Sequence, residues 1–184
     1  MKIVVMAGSL RQGAYSKQLA RACAASLAAH GVEVELLDMR DFPLPVYDGD
    51  LEEAEGLPAG AQALKARFAA ADGFWFCSPE YNHGIPGAFK NLLDWASRGD
   101  EDVFAGKVAA VCGSSPGGVG GMRMVPQLRQ VLIGLGLWLT PSVVTVAKAH
   151  EAFDADGKLT SAFHQKQVDG LARELAEATK RLRG

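Results

Sequence analysis

The chain has 184 residues, 48% of them hydrophobic and 22% charged, with a formal net charge of −2. That length suits one domain with a sizeable core, taken as a single unit over residues 1–184, and the near balance of charge leaves no basic excess for nucleic-acid phosphates. No run approaches the ~18 apolar residues of a membrane helix and no secretory apolar region follows Met1, so the expectation is a cytoplasmic protein that engages neither nucleic acid nor membrane. In chain order, Ile3–Ala7 is a β-branched strand. Tyr15–His30 carries Leu19, Ala22, Cys23 and Leu27 at helical spacing and stops at Gly31, a C-terminal glycine cap. Val32–Leu37 reads as the second strand. Asp41–Leu57, with Pro43, Pro45, Gly49 and several acids, reads as a long surface connection.

Ala59–Ala71 is then a helix and Gly73–Ser78 a third strand. Pro86 suits the first turn of a helix over Ala88–Ser97, and Lys107–Cys112 is a fourth strand. Met122–Leu135 is helical, with Pro126 near its start, and Leu139–Val146 holds the fifth strand, entered at Pro141. A long amphipathic helix, Leu159–Leu182, closes the chain, and its charged end from Arg173 to Gly184 is expected to fray.

Short apolar strands separated by helices predict a parallel sheet covered on both faces. The fold class is therefore α/β: a flavodoxin-like three-layer doubly wound sandwich with a five-stranded parallel sheet in order 2-1-3-4-5. That order is favoured because ligand-like loops follow strands 1 and 3, which flank its switch point.

The first of these loops runs from Gly8 through Ser9, Leu10 and Arg11 to Ala14, Tyr15 and Ser16. Small residues before a helix expose backbone N–H groups to an anion, Arg11 adds a forked cation, and Ser9 and Ser16 add hydroxyls. The alternative is a plain turn with Ser16 as the helix cap. The loop has neither GxGxxG spacing nor a GK[ST] ending, so a dinucleotide here is disfavoured. The second loop, Pro79-Glu80-Tyr81-Asn82-His83-Gly84-Ile85-Pro86-Gly87, combines stiff prolines with glycines and offers a flat heterocycle a polar edge and an aromatic face. The third, Gly113-Ser114-Ser115-Pro116-Gly117-Gly118-Val119-Gly120-Gly121, follows strand 4 and reads as a further wall whose missing side chains leave room for a ring or second substrate. Together the loops describe a mononucleotide site, with flavin mononucleotide (FMN) as the candidate ligand.

Other features are set aside. Cys23, Cys77 and Cys112 are odd in number, widely spaced and each in an apolar run, so they read as small buried hydrophobes without metal-type spacing. His30, His83, His150 and His164 form no ligand cluster, and Asp154-Ala155-Asp156-Gly157 is a turn, since Ala152 and Phe163 occupy the terminal ligand positions of a calcium loop. Trp75 and Trp95 read as core or interface residues, and the backbone of Glu80 is preferred over a general-base role for its side chain.

The Gly8-Ser9-Leu10-Arg11 loop, Pro79-Glu80-Tyr81-Asn82, Ile85-Pro86-Gly87-Ala88-Phe89-Lys90-Asn91 and Asp94-Trp95 together resemble the NAD(P)H-dependent FMN reductases, a family that includes quinone and chromate reductases. The resemblance runs from about Ile3 to Val146. It implies that Ser9, Arg11, Ala14, Tyr15 and Ser16 hold the FMN phosphate. Pro79, Glu80, Tyr81 and Asn82 would line the isoalloxazine, and Ser114, Ser115 and Gly117 would approach the ribityl chain and ring. It further implies NADPH or NADH as co-substrate, small-molecule electron acceptors such as quinones, flavins or chromate, and a homodimer or homotetramer with contacts near Ala88–Trp95. This chain departs from the family by having Ala14 where a hydroxyl residue is common and Ser16 where asparagine is common. The rival functional reading is a flavodoxin-type electron carrier that does not oxidise NAD(P)H.

Overall fold

The computed structural model describes residues 1–183. Its strands are β1 (Lys2–Ala7), β2 (Glu33–Leu37), β3 (Gly73–Pro79), β4 (Val108–Ser114), β5 (Trp138–Leu139) and β6 (Val144–Val146). The helices are α1 (Tyr15–Ala29), α2 (Gly49–Glu55), α3 (Ala59–Ala69), α4 (Gly87–Ala96), α5 (Met124–Gly134) and α6 (Ala162–Leu182). All strand pairs are parallel, in the order β2-β1-β3-β4, with β5 and β6 both on the outer edge of β4. This is the expected 2-1-3-4-5 sheet, with its fifth position filled by two short pieces.

The division of that fifth strand has a local cause. Pro141 has no N–H to give a ladder, so pairing stops after Leu139 and resumes at Val144, opposite Cys112. The carbonyl of Thr140 turns instead to Arg129, whose Nη1 donates at 2.7 Å. Pro126 sits third in α5, where its missing N–H has no intrahelical partner to lose.

Strand residues alternate between two cores, as a period of two requires. Val4, Met6, Phe74, Phe76, Ala109 and Val111 face one side, under α3, α4 and α5. Phe74 and Phe76 stack there with ring centroids 5.5 Å apart, and Phe68 meets Phe74 edge-on at 5.0 Å. Ile3, Val5, Ala7, Trp75, Cys77, Ala110 and Cys112 face the other side, under α1 and α6. At the exposed edge, β2 carries Glu35, which pairs with Lys2 at 2.6 Å and Arg67 at 3.1 Å. Charges of this kind blunt an edge against further strand pairing.

Several boundaries differ from the sequence reading. The stretch 41–57 is not wholly irregular: Asp48 caps α2 by accepting from the Asp50 N–H at 3.0 Å, and Gly56 ends it. The same segment is tied to α4, because the Pro45 carbonyl accepts from Trp95 Nε1 at 2.9 Å and from Asn91 Nδ2 at 2.8 Å. Trp95 is therefore core. The last helix starts at Ala162 rather than Leu159, since Leu159 bridges Phe153 across the Asp154 turn and Ser161 caps the helix. Its end does not fray within the described residues: Leu175 and Thr179 are buried and Arg183 pairs with Asp72 at 3.0 Å. Gly184 lies outside them.

Candidate functional site

The three loops singled out from the sequence leave the carboxyl ends of β1, β3 and β4, which are adjacent in the sheet. In an open parallel sheet this is where ligands bind, because helix N-termini gather there and the strand order reverses. Direct contacts knit the loops together. Gly8 N–H donates to the Cys77 carbonyl at 2.9 Å, and Ser9 Oγ lies 3.2 Å from the Tyr81 hydroxyl. Gly8 is required by the close approach of Phe89: a β-carbon there would stand 2.6 Å from its ring.

The first loop ends in a helix terminus without an internal cap. Ala14 occupies the cap position of α1, and no side chain accepts from the first turn. Ser16 is thus inside the helix and not its cap, against the plain-turn reading. Its Oγ is fully buried and has no hydrogen-bond partner. Ser9 is buried, with its Oγ accepting from the Arg11 N–H at 3.3 Å, while Tyr15 is half-buried. Arg11 is exposed, and among the described residues its guanidinium has no partner. Lys17, one turn on, is already committed to Asp38 at 2.6 Å. Burial would raise the Asp38 carboxyl, but hydrogen bonds from Lys17 and the Arg40 N–H outweigh that and lower it. The free cation beside the uncapped helix is Arg11.

The second loop is a two-residue turn. Tyr81 and Gly84 exchange backbone hydrogen bonds of 3.1 and 3.0 Å, and Asn82 and His83 between them have φ of 49° and 65°. Positive φ at both central residues is the geometry of a type I′ turn, which asparagine tolerates better than most residues. Pro79 is paired in register with Ser114 of β4, and Tyr81, Asn82 and His83 are exposed.

Glu80 points away from the opening. Its Oε2 accepts from the N–H groups of Arg123 (3.0 Å) and Met124 (3.4 Å), and its Oε1 lies 3.3 Å from Arg123 Nη1. The side chain is only 8% exposed. Burial by itself would raise this carboxyl; the two backbone donors and the guanidinium prevail and hold it below the usual carboxylate range. Glu80 therefore caps the start of α5 and joins the second loop to the third. Arg123 Nη1 also donates to His83 Nδ1 at 2.7 Å, which makes Nδ1 the lone-pair nitrogen, and Gln127 Nε2 holds the His83 carbonyl at 2.8 Å.

In the third loop Ser114 is buried and its Oγ, like that of Ser16, has no partner. Ser115 is half-buried, donating from its N–H to the Val146 carbonyl at 3.2 Å. The glycines divide into two groups. A β-carbon on Gly113 would meet the Gly120 carbonyl oxygen at 2.8 Å, and one on Gly120 would meet the Ala147 nitrogen at 2.7 Å, so these serve tight backbone packing. Gly118 borders open space, and a β-carbon on Gly117 would make only an ordinary contact of 3.7 Å with Ser115 Oγ. The sequence reading, which took the whole glycine run as room for a ligand, is thus corrected to those two positions.

Sequence reasoning missed Arg123, Gln127 and Phe89, which position the loops without facing the opening. Arg123 did carry a signal: a cation at a helix N-terminus is unfavourable unless an acid neutralises it. Beside the first loop lies a groove of about 420 Å³ whose lining includes Leu10, Met39, Arg40, Phe42 and Asn91.

Comparison with known proteins agrees with this geometry. Residues 1–151 match the family model for NADPH-dependent FMN reductase. An NAD(P)H-dependent FMN reductase of Pseudomonas aeruginosa is 36% identical over 185 residues, covering 100% of this chain and 98% of that protein. A quinone reductase of Escherichia coli is 39% identical over 136 residues, covering 73% of this chain and 71% of that protein. Among solved structures, the flavoenzyme NAD(P)H:(acceptor) oxidoreductase FerB of Paracoccus denitrificans superposes with a TM-score of 0.80 at 30% identity, covering 98% of this chain and 97% of that one. With its loops, sheet order and relatives in agreement, the chain belongs to the NADPH-dependent FMN reductase family.

Proposed function

We propose that this protein is an FMN-dependent oxidoreductase that takes reducing equivalents from NADPH or NADH and passes them to quinones, working as one FMN-binding domain. The observation that carries the proposal is the unfinished start of α1: a helix N-terminus without a side-chain cap, a buried Ser16 hydroxyl without a partner, and an unpaired Arg11 beside it. A phosphate satisfies all three at once, since oxygen acceptors complete the orphan donors and the charge suits the positive end of the helix. In this reading the buried Ser114 hydroxyl, also without a partner, would meet the rest of the mononucleotide. The residues present therefore fit FMN.

In this reading Ser9, Arg11, Ala14, Tyr15 and Ser16 form the phosphate cradle. Pro79, Glu80, Tyr81 and Asn82 offer backbone groups and the Tyr81 ring to the isoalloxazine, and Ser114, Ser115 and Gly117 close the third side. When bound, FMN supplies the redox chemistry, accepting a hydride from NAD(P)H and delivering electrons to the acceptor. The protein's part is to hold that ring between stiff loops, keep one face open to solvent, and present N–H dipoles that need no reorganisation as charge develops. No titrating side chain is needed, and Glu80 is engaged as a cap. Quinones are the acceptor class we favour, because relatives bear that name. An open face would also admit chromate or free flavin.

We also place the protein in the cytoplasm, as a homodimer or homotetramer. No helix among the described residues is long and apolar enough to cross a membrane. On α4, Phe89, Leu92, Leu93 and Trp95 are buried within the chain, so a contact near Ala88–Trp95 would use the outer side that carries Ala88, Asn91 and Asp94. Met122, Ile133 and Trp138, which are 60%, 60% and 63% exposed, offer a second apolar surface for such a contact.

The test is an anaerobic titration of the FMN-reconstituted protein with NADPH, followed by addition of a benzoquinone. Bleaching of the flavin bands at about one equivalent per site, reversed by the quinone, is expected. Bound flavin that neither NADPH nor NADH bleaches would replace the reductase with an electron carrier.

A further inference from the structure

Beneath the loops, the core brings together three thiols far apart in the chain. Cys23 comes from α1, and Cys77 and Cys112 occupy paired positions near the ends of β3 and β4. All three are fully buried and none is in a disulfide. Their sulfur atoms lie within 4.8 Å of one another, with Cys77 Sγ 3.8 Å from Cys23 Sγ. Among the described residues no histidine or carboxylate joins the group.

That spacing is chemically meaningful. Metal–thiolate bonds of about 2.3 Å around a trigonal centre place the sulfurs about 4 Å apart. Three sulfurs with no nitrogen or oxygen ligand are a poor site for tetrahedral zinc and a worse one for hard cations, but they suit a soft ion of low coordination number. Trp75 Nε1–H donates to Cys112 Sγ at 3.0 Å, a donor suited to holding negative charge on that sulfur. We propose that Cys23, Cys77 and Cys112 form a site for one soft thiophilic cation of the Cu(I) class.

Binding is an exchange without change of oxidation state: three S–H bonds release their protons to solvent and three metal–sulfur bonds form. Burial raises the thiols of Cys23 and Cys77. The site adjoins the flavin loops through the backbone, since the Cys77 carbonyl accepts from Gly8 and Gly113 follows Cys112.

The test uses the purified full chain with Cu(I) as probe, in anaerobic competition with a chromogenic Cu(I) chelator, and Zn(II) in a parallel sample. One Cu(I) retained per chain after desalting, no retained Zn(II), and X-ray absorption showing three sulfur neighbours at about 2.3 Å are expected. Cys23→Ala and Cys112→Ala should lower Cu(I) retention at least about tenfold while far-UV circular dichroism stays unchanged. No retention by the unaltered protein, full retention by a folded variant, or fewer than three sulfur neighbours would overturn the site. Equal retention of Zn(II) would overturn the class of ion. Where a variant does not fold, the absorption spectrum of the unaltered protein decides alone.

Discussion

Replacing Glu80 by glutamine tests whether its carboxylate organises the site. Glu80→Gln keeps the shape and one carbonyl acceptor but removes the charge that meets two backbone N–H groups at the start of α5 and the guanidinium of Arg123. A hydrogen bond to a charged group contributes about 1.5–3 kcal/mol and a neutral one about 1. The pair with Arg123, whose side chain is 52% exposed, adds under about 1 kcal/mol after screening, and the charge at the helix end about 0.3–1. Because glutamine retains part of this, the expected loss is about 2 kcal/mol, or roughly 4–8 °C in Tm for a chain of this size. The pH dependence supplies a second signature. The native carboxyl lies below its ordinary value, so its contribution is complete above the unfolded pKa of about 4.3 and disappears as pH falls through the lower native value. Calorimetry on both proteins from pH 7 down to pH 3 should show a gap that is constant to about pH 5 and then closes. An unchanged Tm at neutral pH, or a gap that persists undiminished in acid, would refute the capping role.

The other predictions concern the phosphate and glycine loops. Arg11→Ala should weaken FMN binding by about 1.5–3 kcal/mol, some 10- to 150-fold, and leave riboflavin binding unchanged; flavin fluorescence quenching measures both, and equal losses would take Arg11 away from the phosphate. Ser16→Ala removes a buried hydroxyl that has no partner, so the FMN-free protein should melt no lower than the unaltered one while FMN affinity falls about fivefold. A lower Tm with undiminished affinity would mean that the hydroxyl serves the helix instead. Gly120→Ala combines φ of 62° with a β-carbon 2.7 Å from the Ala147 nitrogen and should cost about 2–5 kcal/mol in chemical denaturation. Gly118→Ala meets nothing within 4 Å and should stay within about 0.5 kcal/mol.

Much of this protein is legible without coordinates. Strand runs such as Ile3–Ala7 and Gly73–Ser78 are apolar on both faces, which only a covered parallel sheet accommodates, and Gly31 ends α1 at the expected place with φ of 73°. The loops at Ser9–Arg11 and Pro79–Asn82, which we propose hold FMN, stand out in the sequence because phosphate and heterocycle recognition require particular residue types close together in the chain. Errors gathered where an element depends on its neighbours. Asp48 caps a short helix in a segment that Pro45 and Tyr47 tie to α4, and Pro141 divides a strand whose pairing is decided by β4.

Position along the chain determines local structure and short-range chemistry: which residues can alternate on a strand, start a helix or close a turn. It says little about groups that meet only after folding. The inward turn of Glu80 toward Arg123, the orphan hydroxyls of Ser16 and Ser114, and the union of Cys23, Cys77 and Cys112 are all of that kind. Each joins residues between about 35 and 90 positions apart, or depends on what another segment fails to provide. Spacing alone reads the cysteines as small buried hydrophobes without a metal pattern; the parallel register of β3 and β4, with α1 packed across them, puts their sulfurs in one cluster. Local propensity acts over a few residues, whereas a sheet register is a cooperative choice of the whole core, and that choice decides which distant side chains share a site.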